Sequence, residues 1–251
     1  MIYSHSRINT FEQCPLKFKF RYIDNLIPDT KQFIEGFLGN KIHETLEWLY
    51  NLENKKISLD DLIHYFIRIW KKSFSPEIKI IKNENEDFYL NQGIKFLINY
   101  FDSNYPFEDN TIATEKKVLI NLDDKGEYKL QGYIDRLVYH PDLKKIEIHD
   151  YKTGSIKTQE ELDKDKQLSI YSLGVKNLFD ELREINLVWH FLAFNKKMIS
   201  KRNDKQLEDI KKEILTIIKK IESTKEFNAN PGILCSWCEF KSYCPLFSDL
   251  S

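Results

Sequence analysis

The chain has few cysteines and no excess of either charge. Four cysteines stand among 251 residues, and 38 basic residues against 39 acidic ones leave a formal net charge of -1. Near-neutrality removes a global basic field as a means of attracting nucleic acid, although a local basic cleft needs only the right distribution of charge. No apolar run approaches the length of a membrane span, so no membrane partner is expected. The opening "MIYSHSRINT" has neither the basic region nor the apolar run of a signal peptide, and a cytoplasmic protein is expected. No Walker-type glycine–lysine loop is present, so no nucleotide-driven motor is expected in this chain. There are no internal repeats and no low-complexity linker. What is there, 41% hydrophobic, 14% aromatic and 31% charged, is the composition of a folded globular protein.

Disulfides do not persist in a reducing compartment, so clustered cysteines lean towards metal or redox chemistry. Three fall in "CSWCEFKSYCPLF", at Cys235, Cys238 and Cys244, and the fourth, Cys14, lies in "FEQCPLKFKF". The spacing C-x2-C-x5-C offers three thiolates, and Cys14 supplies a fourth if the ends of the chain meet. Four thiolates suit tetrahedral zinc or a [4Fe–4S] cluster, and local spacing does not separate the two.

The apolar spacing changes along the chain. Ile8, Phe11, Leu16, Phe18 and Tyr22 predict a helix opening near Ser6, with Pro15 the point of tension. Leu38, Ile42, Leu46 and Leu49 form the stripe of a helix over about 36–53. Two more helices are expected near 58–73 and 86–101. Then "TIATEKKVLINLDDKGEYKLQGYIDRLVYH" reads as two strands joined by a turn at "DDKG", and "KKIEIHDYKTG" as a third. Residues 160–179 read as a helix, "EINLVWHFLAF" as a fourth strand, and 204–223 as a long amphipathic helix.

The third strand carries the informative pattern. Alternate side chains of a strand share a side, so Ile146, Ile148, Asp150 and Lys152 face one way, and Glu147, His149 and Tyr151 the other. An apolar side that turns to Asp and Lys at its end describes a strand leaving the core for a cleft. Asp135 ends an earlier run in the same way, and the connection "HPDLKK" would bring it beside Asp150. Two neighbouring carboxylates repel unless a cation offsets their charge, and a divalent ion with oxygen ligands does so. Lys152 could stabilise charge on a phosphoryl oxygen. His43, inside a predicted helix, suits Mn²⁺ or Mg²⁺ as a neutral imidazole. Gln167 and Tyr171 stand four apart on one helix face. Glu115 lies in an alternating strand, where an inward charge needs a partner. The run "CPLKFKFRY" interleaves Lys17, Lys19 and Arg21 with Phe18, Phe20 and Tyr22, a pattern suited to phosphates and unstacked bases.

Taken together these residues resemble the RecB-like nucleases of the PD-(D/E)xK superfamily, above all the iron–sulfur-containing AddB nuclease domain and the CRISPR-associated RecB-like exonucleases. The resemblance runs through "SHSRINTFEQCPLKFKFRY", "GNKIHETLE", "GYIDRL", "IHDYKTG" and "QLSIYSLG" to the cysteine tail. It implies an α/β fold with a restriction-endonuclease-like core, a central mixed sheet flanked by helices, a helical N-terminal portion and termini stapled by an iron–sulfur cluster. One domain over 1–251 is expected: a helical portion to about 105, a nuclease core over about 110–195, and a helix and cluster-binding tail from about 200. The resemblance makes His43, Asp135, Asp150 and the Tyr151 carbonyl ligands of Mn²⁺ or Mg²⁺. Lys152 becomes the catalytic lysine, and Gln167 and Tyr171 the motif behind it. Glu115 would correspond to an acidic residue upstream of the second motif. Cys14, Cys235, Cys238 and Cys244 would bind [4Fe–4S]. The implied activity is a metal-dependent DNA exonuclease acting on single-stranded DNA or free ends, with a helicase or integrase as potential partner. Its rivals are an end-trimming factor in CRISPR spacer acquisition and a non-catalytic DNA-end-binding subunit.

Overall fold

The computed structural model describes residues 2–53, 56–176, 178, 179 and 182–247. The elements in chain order are β1 (Ile2–Ser4), α1 (His5–Gln13), α2 (Pro15–Tyr22), β2 (Gln32–Phe33), α3 (Ile34–Tyr50), α4 (Leu59–Ser73), β3 (Ile78–Lys79), α5 (Glu86–Asn104), β4 (Thr111–Asn121), β5 (Lys129–His140), β6 (Lys145–Lys152), α6 (Gln159–Asp163), α7 (Lys166–Lys176), β7 (Glu184–Phe191), β8 (Lys196–Ser200) and α8 (Asp204–Ser223). The result is an α/β fold with a six-stranded mixed sheet and helices on both faces.

Strand β5 organises the sheet. It pairs antiparallel with β4 along one edge. Along its other edge, Lys129–Gln131 pair parallel with β1, and Arg136–His140 pair antiparallel with β6. Positions 132–135 of β5 therefore face a gap on that edge, and the C-terminal ends of β1 and β6 point into it from opposite sides. Beyond β6 the sheet continues through parallel β7 and antiparallel β8.

The period-two pattern of β6 sorts its side chains onto two cores. Ile146 and Ile148 join Ile134, Leu137, Trp189 and the stripe Ile214, Ile218 and Ile221 of α8. Tyr151 joins the helical layer, with Ile42, Leu46 and Leu49 of α3, Phe66 and Trp70 of α4, and Tyr100 of α5. The predicted stripe of α3 is buried throughout.

Local chemistry sets the element ends. Pro15 does not break the first helix outright: Cys14 adopts an extended conformation and Pro15 opens a second helix, where its missing N–H has no cost. The helix expected over 160–179 is two helices. Asp165 Oδ1 accepts from the Leu168 N–H at 3.1 Å, and Arg202 holds the carbonyls of Leu162 and Asp165 from outside. Strands β1, β2, β3 and β8 were not expected: the first three have two or three residues, and β8 follows β7 through a tight turn at Asn195.

Candidate metal-dependent active site

The gap in β5 is where the sequence-predicted residues meet. Asp135 is the last residue before pairing with β6 begins, and Asp150 is where that pairing has ended. Asp135 Oδ2 accepts from the Tyr151 N–H at 2.8 Å, so a carboxylate takes the place of a ladder acceptor across the opening. Helix α3 delivers His43 from the helical layer. Its Nε2 lies 2.9 Å from the Tyr151 carbonyl oxygen, and its Nδ1 lies 3.5 Å from Asp135 Oδ2. From the next strand, β4, Glu115 reaches the same point. One ligand atom each from His43, Glu115 and Asp135 lie within 4.8 Å of one another. Glu115 adopts this place with φ of 44°, a left-handed backbone inside a strand. Backbone strain of this kind persists where the surrounding structure enforces it and gathers at functional sites.

Asp150 is buried, and Lys152 pairs with it. Lys152 Nζ lies 2.7 Å from Asp150 Oδ2 and 2.9 Å from Oδ1. Gln167, from α7, donates its amide to Asp150 Oδ1 at 3.3 Å and accepts from Lys152 Nζ at 3.3 Å. Tyr171 lies one turn further along α7, buried against Gly132 in the gap. A Cβ at Gly132 would stand 2.0 Å from the tyrosine ring, so the close approach of α7 to β5 requires glycine there.

Three carboxylates, an imidazole and one ammonium share the opening, and each shifts the others. Burial pushes the Asp150 carboxyl up, against the Lys152 ammonium and with the help of Asp135, to about 6. Burial and the Asp135 charge push Glu115 to about 6 as well. Burial works against a charged His43, yet its hydrogen bond to Asp135 and the charges of Asp135 and Asp150 raise it to about 9. Burial opposes the charge of Lys152 too, but Asp150 holds it and its pKa is raised. Burial lifts Tyr171 to about 12, opposed by its hydrogen bond from Gln167, so its hydroxyl stays protonated. Crowded carboxylates that hold their protons tightly, beside an imidazole that takes one up, form a donor set whose repulsion a divalent ion relieves. Oxygen and imidazole donors, without thiolates, suit Mn²⁺ or Mg²⁺.

All four cysteines are free and partly buried, and they line one pocket of about 330 Å³ formed where the two ends of the chain meet. The meeting is made by ordinary bonds. The Leu16 N–H donates to the Asn228 carbonyl at 3.2 Å, the Asp29 N–H to the Glu239 carbonyl at 2.7 Å, and Asn230 Nδ2 to the Gln13 carbonyl at 2.9 Å. Lys17 and Arg21 pair with Glu239, and Lys19 pairs with Asp24. Phe18 is buried, and Phe20 packs on Phe240 and Tyr243. In "CPLKFKFRY", then, Lys17, Arg21 and Phe20 engage the tail, while Lys19 pairs with Asp24 just beyond its own helix.

Three buried groups beside the site carried no sequence expectation of function. Arg136, His149 and His190 lie on β5, β6 and β7, and the signal was present: polar residues at inward positions of otherwise apolar strands.

A mixed sheet opened at one strand, with carboxylates, an imidazole and a lysine gathered in the opening, defines a metal-dependent nuclease-type enzyme. The family model of the PD-(D/E)XK nuclease superfamily matches residues 2–245, and the chain belongs to that superfamily. No curated protein matches the chain. Among solved structures it is similar to a crystal structure named "Putative exonuclease", from Eubacterium rectale. That similarity has 11% identity and a TM-score of 0.53 over 94% of this chain and 86% of that one, a likeness of fold. A second, SSO0001, aligns at 17% identity with a TM-score of 0.37 over 84% of this chain and 95% of that one.

Proposed function

We propose that the protein is a divalent-metal-dependent DNA exonuclease acting on single-stranded DNA or DNA ends. The observation that carries this reading is the convergence of His43, Glu115 and Asp135 beside the Asp150–Lys152 pair, in the gap of β5. In this reading His43, Asp135, Asp150 and the Tyr151 carbonyl hold Mn²⁺ or Mg²⁺, and Glu115 joins them on geometry that the sequence pattern made least secure. The bound ion would supply Lewis-acid stabilisation of phosphoryl charge and lower the pKa of the attacking water. Lys152 brings a fixed positive charge to the phosphate oxygens, and Asp150 orients the lysine. Gln167 holds both members of that pair in place, and Tyr171 buttresses Gln167. The presence of the acidic groups and the lysine in one centre favours an active enzyme over a binding subunit. We read residues 1–251 as one domain.

The pocket between the chain ends is proposed to hold a [4Fe–4S] cluster through Cys14, Cys235, Cys238 and Cys244. What supports this reading is that all four thiols line the one pocket; four thiolates also suit tetrahedral zinc.

The test uses anaerobically purified protein and end-labelled single-stranded DNA, with Mn²⁺, with Mg²⁺ and with EDTA. Loss of label that depends on the metal supports the reading. Intact DNA under every condition, from protein that retains its fold, overturns it. A visible absorption band that disappears in Cys14→Ser tests the cluster separately.

A further inference from the structure

Six side chains behind the candidate centre close a ring of contacts. The Arg136 guanidinium carbon lies 4.0 Å from the centroid of the Tyr50 ring. The hydroxyls of Tyr50 and Tyr100 are 2.7 Å apart, and those of Tyr100 and Tyr151 are 3.2 Å apart. The Tyr151 ring is 5.2 Å from that of His190. His190 Nε2 is 2.8 Å from His149 Nδ1, and Arg136 Nη2 reaches that same Nδ1 at 2.9 Å. All six are buried, none more than 6% exposed.

The donors and acceptors are fixed by chemistry. Arginine only donates, so His149 Nδ1 is an acceptor. The proton of His149 is then on Nε2, which faces Glu147 Oε2 at 3.3 Å. His190 Nε2 must donate to the nitrogen that Arg136 already reaches, so the one lone pair of His149 Nδ1 is shared between two donors and His149 is a neutral imidazole protonated on Nε2. Asp109 pairs with Arg136 from the loop before β4, and Thr111 Oγ1 lies 3.3 Å from the same guanidinium.

Such a ring is poorly explained by stability alone. Apolar groups of similar volume often stabilise as well as or better than a buried charge with its partners. What apolar contacts lack is direction. The ring spans α3, α5, β5, β6 and β7, and its members adjoin the candidate ligands. Arg136 follows Asp135. Tyr50 lies on the helix of His43. The Tyr151 peptide meets both, its carbonyl at His43 and its N–H at Asp135. We infer that the Arg136–Tyr50–Tyr100–Tyr151–His190–His149 ring is a positioning device that holds His43, Asp135 and the Tyr151 peptide at metal-binding spacing. The inference rests on the metal reading above.

Tyr100→Phe tests it, because the change removes the hydroxyl shared by two contacts of the ring and keeps the volume. Mn²⁺ binding is measured by titration calorimetry on the full chain for the parent, Asp135→Ala and Tyr100→Phe, well below each melting temperature. The parent should bind, Asp135→Ala should not, and Tyr100→Phe should bind roughly tenfold or more weakly while melting within a few degrees of the parent. A merely structural role would move the melting temperature and leave the Mn²⁺ affinity alone. Tyr50→Phe cuts the same hydroxyl chain at its other end and is read in its place if Tyr100→Phe fails to fold. Parent-like affinity in the folded variant overturns the positioning role. Absence of binding by the parent removes the metal reading, and this inference falls with it.

Discussion

Glu115 shows how a single residue can carry strain for a function. Its φ of 44° is a left-handed conformation that a glutamate adopts at a cost of about 1 kcal/mol or more. In return its carboxylate stands with His43 and Asp135. Glu115→Gly relieves the backbone while removing the carboxylate. The melting temperature of this variant should stay within a few degrees of the parent, and its cleavage rate should fall at least about 100-fold. An equally active variant would remove Glu115 from the centre. The sequence exposed this residue only in outline, because alternation predicts a side and says nothing of a left-handed kink within the strand. Asp135, Asp150 and Lys152 were more legible: each stands where an apolar strand pattern turns polar, and the structure puts them at the gap. The contacts of "CPLKFKFRY" with the tail were not legible, because a basic, aromatic run looks the same whether it faces a nucleic acid or a distant carboxylate. Glu239 lies more than two hundred positions away, and only the tertiary fold brings it to Lys17 and Arg21.

Among the elements, α7 links the fold to the site. It brings Gln167 to the Asp150–Lys152 pair and lays Tyr171 against Gly132. In Gly132→Ala the new methyl would overlap the buried tyrosine ring, so the ring, and the helix that carries it, are pushed away from β5. A loss of about 1–3 kcal/mol in unfolding free energy is expected. Because Gln167 moves with the helix, cleavage should fall more than the lost stability explains, at a temperature where the variant is fully folded. Unchanged kinetics would mean that Tyr171 and Gln167 do not set the geometry of the pair. The long helices α3, α4, α5 and α8 were readable because their apolar stripes repeat over several turns. The break between α6 and α7 was not, because Arg202 imposes it from another element. Strands of two or three residues, such as β1, are too short to show a period, yet β1 forms one wall of the gap.

On the scale of the whole molecule, two features join distant parts: the stitched chain ends and the buried ring beneath the sheet. The ring makes a prediction about acid stability. Burial lowers the pKa of His149 to about 4, with the Arg136 and Lys197 charges acting the same way and Glu147 opposing. His190 is also lowered well below its ordinary value, by burial first and then by His149, Arg136 and Lys197, again opposed by Glu147. Both are neutral in the folded chain and take up protons near pH 6.5 when unfolded. The unfolded state therefore binds more protons between about pH 6.5 and 4. The contribution is fully present above that window and is lost as the pH falls through it. Over the same range His43, raised to about 9, and Asp150 and Glu115, each raised to about 6, gain stability as the pH falls and oppose this loss. The histidine contribution is therefore read by difference: between pH 7.5 and pH 5 the melting temperature of His149→Gln, if that variant folds, should lose several degrees less, or gain several degrees more, than that of the parent. The same pH dependence in both proteins would contradict neutral burial. The stitched ends make a second prediction. Glu239→Ala leaves Lys17 and Arg21 without their carboxylate and should loosen the tail, seen as faster proteolysis beyond about residue 225 with little change at the β5 gap.

The central claim is that phosphodiester hydrolysis takes place at the gap of β5. It is tested most directly by the single-turnover rate of Mn²⁺-dependent cleavage of end-labelled single-stranded DNA, measured for the parent and for Asp150→Ala at equal folded concentration. The account predicts cleavage by the parent and a rate lower by at least about 1,000-fold in the variant. Equal rates for the two proteins would contradict it and move the chemistry elsewhere.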